Sequence, residues 1–150
     1  MAAPTLSIAR GDLDRAPDVL VIGAYSTDDG PRLATPGTGP DGLAEALAQV
    51  GGTGAVDEVR RLPALGDGPP LAVVGLGALR DEPGPEALRL AAGSAARQLT
   101  GVERLEVALP IRSETDLAAV LEGAGIGAYA YTGYRVSTLG STKTPAEEIA

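Results

Sequence analysis

Two apolar runs constrain this chain more than anything else in it: Val19-Leu20-Val21-Ile22-Gly23-Ala24 and Leu71-Ala72-Val73-Val74-Gly75-Leu76-Gly77. A strand with one wet face alternates apolar and polar residues. A run that is apolar at every position and rich in Val and Ile suits a strand covered on both faces, as in a mostly parallel sheet with helices above and below it. Neither run approaches the roughly 20 residues needed to cross a bilayer, so no membrane is expected as a partner.

The remaining segments supply the other layers. Thr5 to Ala9 alternates as a strand, with Leu6 and Ile8 on one face. Thr27 to Pro40, rich in Gly, Pro, Thr and Asp, reads as a long loop. Asp41 stands as an N-cap before a helical face of Leu43, Ala46, Leu47 and Val50. Glu58 to Leu65 carries a weak strand signal, and Gly66 to Pro70 turns the chain. Pro83 and Pro85 prepare a second helix, with Glu86 in its first turn and Leu88, Ala92, Ala95 and Leu99 on its buried face. Arg104 to Leu109 gives another strand, closed by Pro110. Ser113 and Asp116 resemble a capping box ahead of a helix through Leu117, Val120 and Leu121. Gly123 and Gly127 either end that helix near Glu122 or lie one turn apart on a face that touches a neighbour closely. The second alternative is preferred, because Ala124 and Ala128 repeat the spacing. The order β-β-loop-α-β-β-α-β-α predicts an α/β fold of three layers: a mostly parallel, mixed sheet with helices on both faces.

The 150 residues suit one domain. They include no histidine and no cysteine, which removes the usual general base, the commonest metal ligand, disulfides and a thiol nucleophile. The net charge of −8 disfavours nucleic acid as a partner. The N-terminus lacks the basic and apolar regions of a signal peptide, so a soluble, cytoplasmic domain is expected.

Gly75-Leu76-Gly77 begins a dinucleotide fingerprint, but Arg80 stands where the third glycine belongs; a tight strand exit is the favoured reading. The acidic pairs Asp28-Asp29 and Asp81-Glu82 sit beside Gly or Pro and read as turns rather than cation sites. Ser26, Ser94, Ser113 and Ser141 have no histidine partner, and a serine–lysine dyad would need Lys143, the single lysine. Tyr129, Tyr131 and Tyr134 read as packing for the last helix and a junction with another domain rather than a ligand-stacking patch. Ile126, Tyr129 and Tyr131 are expected to anchor that helix. No catalytic, cofactor-binding or metal-ligating residue is therefore assigned.

Leu71 to Leu99 and Leu117 to Ser137, with the strand Arg104 to Pro110 between them, resemble the N-terminal domain of the leucyl aminopeptidase (cytosol aminopeptidase) family. The shared pattern is an apolar strand ending in Gly-Leu-Gly, an Ala-Ala-Gly helix, a strand, and a helix containing Glu122-Gly123-Ala124-Gly125-Ile126-Gly127-Ala128-Tyr129. The similarity covers Val19 to Ser137 and is least between Thr27 and Gly54. The stretch Ala130 to Arg135 also departs from the family, with one basic residue where several are usual.

The resemblance implies a macro-domain-like fold for residues 1–136. Residues 137–150 become a linker that adds little to the fold and leads to an absent C-terminal catalytic domain. It implies that the parent protein is a hexamer in the cytoplasm, that two divalent metals, zinc or manganese, sit in that absent domain, and that this domain helps assembly. The family's Asn-Thr-Asp-Ala-Glu-Gly-Arg metal signature is missing, so no catalytic residue carries over. The alternatives are a stand-alone macro-like module for ADP-ribose or another nucleotide, with Gly75 to Gly77 and Asp18 as its contacts, and a non-enzymatic interaction domain.

Overall fold

The computed structural model describes residues 3–9, 15–34, 39–79, 83–129 and 143–150. In chain order the described elements are β1 (Thr5–Leu6), β2 (Val19–Thr27), β3 (Gly30–Leu33), α1 (Leu43–Gln49), β4 (Val59–Leu62), β5 (Leu71–Ala78), α2 (Pro85–Gln98), β6 (Arg104–Ala108), α3 (Glu114–Gly127) and β7 (Glu148–Ile149). The sheet runs β1-β7-β6-β2-β5-β4, with β3 paired to β2 off this path. β1, β7, β6, β2 and β5 are mutually parallel; β4 and β3 join antiparallel.

Both apolar runs are covered on two faces, as their composition demands. On β2, Val19, Val21 and Tyr25 face one cluster and Ile22 and Ala24 the other; on β5, Ala72, Val74 and Leu76 oppose Leu71 and Val73 in the same way. The first face carries α2 and α3, through Leu88, Ala92, Ala95, Leu99, Val120 and Ala124. The second carries α1, through Leu43 and Leu47. Each fully buried Leu or Ile contributes about 1.5–3 kcal/mol relative to exposure. The result is the expected three-layer α/β architecture.

The close approach predicted for α3 is present. A Cβ added at Gly123 would lie nearer than 3.0 Å to the Arg89 carbonyl oxygen of α2, and one at Gly127 nearer than 3.0 Å to that of Gly93. Two backbones therefore meet where side chains would hold them apart. Ser113 caps α3, its hydroxyl accepting from the Asp116 N–H at 3.1 Å, while the Asp116 carboxylate accepts from the Arg112 N–H at 3.1 Å. Aspartate thus completes the cap one residue upstream of the usual reach.

Four expectations need correction. Thr27 to Pro40 is not loop throughout: Asp28-Asp29 closes a hairpin with Thr27 opposite Gly30, and Gly30 takes a φ of 112° that suits glycine. α1 is capped by Gly42 in the left-handed conformation with no side-chain bond, not by Asp41. Ile126 and Tyr129 do not anchor the last helix, being 71% and 55% exposed. The small residues Ala119, Ala124 and Ala128 anchor it instead. The fourth correction concerns the chain's last residues. Glu148–Ile149 forms β7 between β1 and β6, and Ala146 and Ile149 are buried. Composition understated this segment, because one buried Ile and two parallel partners replace a broad apolar face. Tyr131, Tyr134 and residues 137–142 lie outside the described residues.

Candidate functional site

The Gly75-Leu76-Gly77 strand exit opens into a cavity of about 360 Å3 at the carboxyl ends of β2 and β5, against the first turn of α2. Tyr25, Val56, Leu76, Pro83, Glu86 and Leu90 contribute its side chains. Ligands of open α/β sheets commonly sit at this end. A loop over residues 51–58 shapes the cavity. Gly75 donates its N–H to the Glu58 carbonyl at 2.9 Å, and Gly77 donates to the Gly54 carbonyl at 2.9 Å. A Cβ on Gly75 would collide with the Ala55 carbonyl, and Gly77 has a φ of 83°. The two glycines thus admit the crossing loop, and their amides already bond to protein rather than waiting for a phosphate. Glu86 places a carboxylate in the first turn of α2, where a diphosphate would otherwise dock. The cavity suits an apolar group and opposes an anion.

Two acidic residues, not anticipated as important, fasten that loop. The Glu58 carboxylate accepts from the Thr53 and Gly54 N–H groups, each at 2.8 Å, from the Thr53 hydroxyl at 3.0 Å and from Arg60. Partial burial pushes its carboxyl up, but these donors outweigh burial and hold it below the ordinary range. Asp57, left-handed at φ 65°, accepts from the Ser94 hydroxyl at 2.6 Å, from Arg97 and from Gln98. The Ser94 bond, followed by the Arg97 charge, depresses its carboxyl. A non-glycine residue in this conformation was the available structural signal, and no sequence pattern announces it.

A second groove of about 480 Å3 runs along α2 and α3, with Val56, Leu90 and Ile126 among its walls. These three side chains are 59%, 50% and 71% exposed. Among the described residues no group of three or more His, Cys, Asp or Glu could hold a metal ion.

The N-terminal domain of the cytosol aminopeptidase family matches residues 37–138. The chain belongs to that family. A "probable cytosol aminopeptidase" of Leifsonia xyli subsp. xyli is 47% identical over 151 residues, covering 99% of this chain and 30% of that protein. One from Streptomyces griseus subsp. griseus is 47% identical over 146 residues, covering 90% of this chain and 28% of that protein. This cytosol aminopeptidase N-terminal domain thus spans under a third of the relatives it matches. Among solved structures, the bottromycin maturation enzyme BotP in complex with Mn superposes with a TM-score of 0.63 at 21% identity, over 89% of this chain and 26% of that one. A mutant of tomato leucine aminopeptidase gives 0.59 at 20% identity, over 98% and 32%. These likenesses show the fold alone.

The remaining candidates in this aminopeptidase N-terminal domain are dispersed. Asp18 precedes β2 and accepts from the Glu103 and Arg104 N–H groups at 2.8 and 2.9 Å; those bonds, led by Arg104, lower its carboxyl. It lies at the opposite end of β2 from Tyr25, which pairs with Gly77, roughly 20 Å away at 3.3 Å per residue. Asp18 and Gly75 to Gly77 therefore form no joint nucleotide site. Asp28 and Asp29 are the exposed hairpin turn. Ser94 bonds Asp57 and Ser113 caps α3, while Arg80, Asp81, Glu82 and Ser141 lie outside the described residues.

The depressed Asp57 carboxyl sets a pH dependence. Its folded-state pKa lies below the unfolded value near 3.8. Its contribution is therefore complete above that value and disappears as pH falls through the lower folded value. Urea unfolding from pH 6 to pH 2.5 should show Asp57→Asn losing less stability than the parent over the acid limb. Parallel acid limbs would mean that the carboxylate clamp contributes nothing.

Proposed function

We propose that this domain is the accessory N-terminal part of a cytosolic metallo-aminopeptidase and has no catalytic activity of its own. The parent protein would release N-terminal amino acids, such as leucine, from peptides during intracellular protein turnover. Two divalent metals, zinc or manganese, would be held by a C-terminal catalytic domain. The observation that carries this proposal is the match along almost the whole chain to cytosol aminopeptidases about three times its length. The second half of the reading is that the domain aids assembly of a hexamer. The groove of Val56, Leu90 and Ile126 supports it, since exposed apolar patches on a soluble domain commonly mark interfaces.

The test compares this chain with the intact gene product on a leucyl chromogenic amide, with manganese or zinc added. Turnover is expected from the intact protein and not from the chain alone. Activity of the chain that persists after host peptidases are removed would overturn the non-catalytic assignment. For assembly, Leu90→Ser combined with Ile126→Ser in the intact protein should lower the sedimenting mass; an unchanged mass would remove the groove from the interface.

A further inference from the structure

β7 occupies only part of the space that the sheet provides for it. Glu148 pairs with Arg104 and Thr5, and Ile149 with Leu105 and Leu6. The ladders then continue on both sides: Ser7 donates its N–H to the Ile149 carbonyl at 3.0 Å, and Val107 donates to the Ala150 carbonyl at 2.7 Å. Yet β6 runs on to Ala108, and residues 7–9 run on beside it. Between them, directly beyond Ala150, lies a cavity of about 250 Å3. Its walls include Ser7, Ala9, Val107, Leu117 and Leu121, with Ala150 at its mouth.

In a parallel sheet the N–H and C=O of one residue serve the same neighbouring strand. The next rungs are then fixed. The residue after Ala150 would donate to the Ser7 carbonyl and accept from the Ala9 N–H. The residue following that one would donate to the Val107 carbonyl and accept from the Leu109 N–H. Side chains alternate with period two, so the first of these residues points the way Ile149 does, into the core cluster of Leu105, Val120 and Ala124. Val107 faces the same way, packs on the edge of that cluster and lines the cavity half-buried.

We propose that the polypeptide following Ala150 in the intact protein completes β7 as an inner strand of about three further residues, with an apolar side chain two positions after Ile149 seated against Leu117 and Leu121. The occupant is the protein's own continuation. The match covers only 30% of the Leifsonia relative, and Ile149 and Ala150 are among the residues that line the cavity. This rests on the reading of the chain as the first part of a longer aminopeptidase, but its test reads folding rather than peptidase activity, so the two can fail separately. The segment would then enter the second domain as an ordered strand rather than a loose tether.

Three forms decide it: residues 1–150, the same chain followed by Val-Thr-Val-Thr, and the same chain followed by Gly-Ser-Gly-Ser. The Val-Thr form should melt at least about 4 °C above the other two. It should also show slowed amide exchange at Ala9 and Leu109. Folding of the Val-Thr form alone would support the proposal as well. Equal melting and exchange in all three forms would overturn it. So would a dimer of residues 1–150 that protects the same amides, because the slot would then serve a second copy. The sequence of the intact gene product gives an independent check: an apolar residue two positions after Ile149 is expected, and a charged residue or proline there would overturn the proposal.

Discussion

Gly123→Ala is expected to destabilise the protein by about 2 kcal/mol, although alanine is the better helix former. The two effects have opposite signs. Propensity favours alanine in a helix interior by about 1 kcal/mol. Against this, the new Cβ would lie inside 3.0 Å of the Arg89 carbonyl oxygen, a backbone atom that moves only if α2 moves. Overpacking of this kind costs about 1–3 kcal/mol and more where backbone must shift. Gly127→Ala meets the Gly93 carbonyl oxygen in the same way and should behave alike. Gly125 is the internal control. It sits on the same helix, and its added Cβ would meet only Leu6 Cδ1 at 3.6 Å, an ordinary contact. Gly125→Ala should therefore stabilise by up to about 1 kcal/mol. Urea unfolding of the three variants measures the difference, and losses of similar size at all three positions would show that the α2–α3 contact is looser than described. The exposed Arg89–Glu122 ion pair at 3.0 Å across the seam cannot substitute for that contact, since such pairs are worth about 0–1 kcal/mol.

Gly75→Ala should have the largest effect of any single methyl added to this domain, a loss of about 3 kcal/mol or more. Its Cβ would fall on the Ala55 carbonyl, with the Gly54 backbone directly behind. Relief would require expelling the loop over residues 51–58. That movement would also break the Gly75 to Glu58 and Gly77 to Gly54 hydrogen bonds and release the Asp57 and Glu58 clamps. Gly68, which has open space around its Cβ position, is the matched control, and Gly68→Ala should be close to neutral. Melting temperatures of both variants test this: a drop of roughly 6–12 °C is expected for Gly75→Ala and almost none for Gly68→Ala. A Gly75→Ala variant that melts with the parent would mean that the loop does not lie on β5 in solution.

What sequence alone determined was whatever repeats along a single element. The runs at Val19 to Ala24 and Leu71 to Gly77 had to be doubly covered strands, because no residue in them tolerates water well. The face of α2 and the Leu43 and Leu47 half of the α1 face followed from helical spacing, although Val50, expected on that face, lies past the helix end and is exposed. The cap at Ser113 followed from a contact three residues apart. Even the seam at Gly123 and Gly127 was the preferred of two readings, since Ala124 and Ala128 repeat the spacing of the glycines. Family membership came from the order of these same elements.

What tertiary structure alone decided depended on partners distant in the chain. Glu148–Ile149 is an inner strand only because β1 and β6 leave a gap of its width, and a short segment with one Ile carries no such message. Gly75 and Gly77 resemble a phosphate loop in sequence, yet residues 54–58 lie over them. Asp57 gains its role from Ser94, Arg97 and Gln98, some forty residues away. Ile126 and Tyr129 belong inside by hydrophobicity, yet they point outward because the glycines beside them bring α3 too close to α2 for a large side chain to fit between. Hydrophobicity records that a residue prefers burial. Where the backbones themselves touch, the fold determines which residues obtain it.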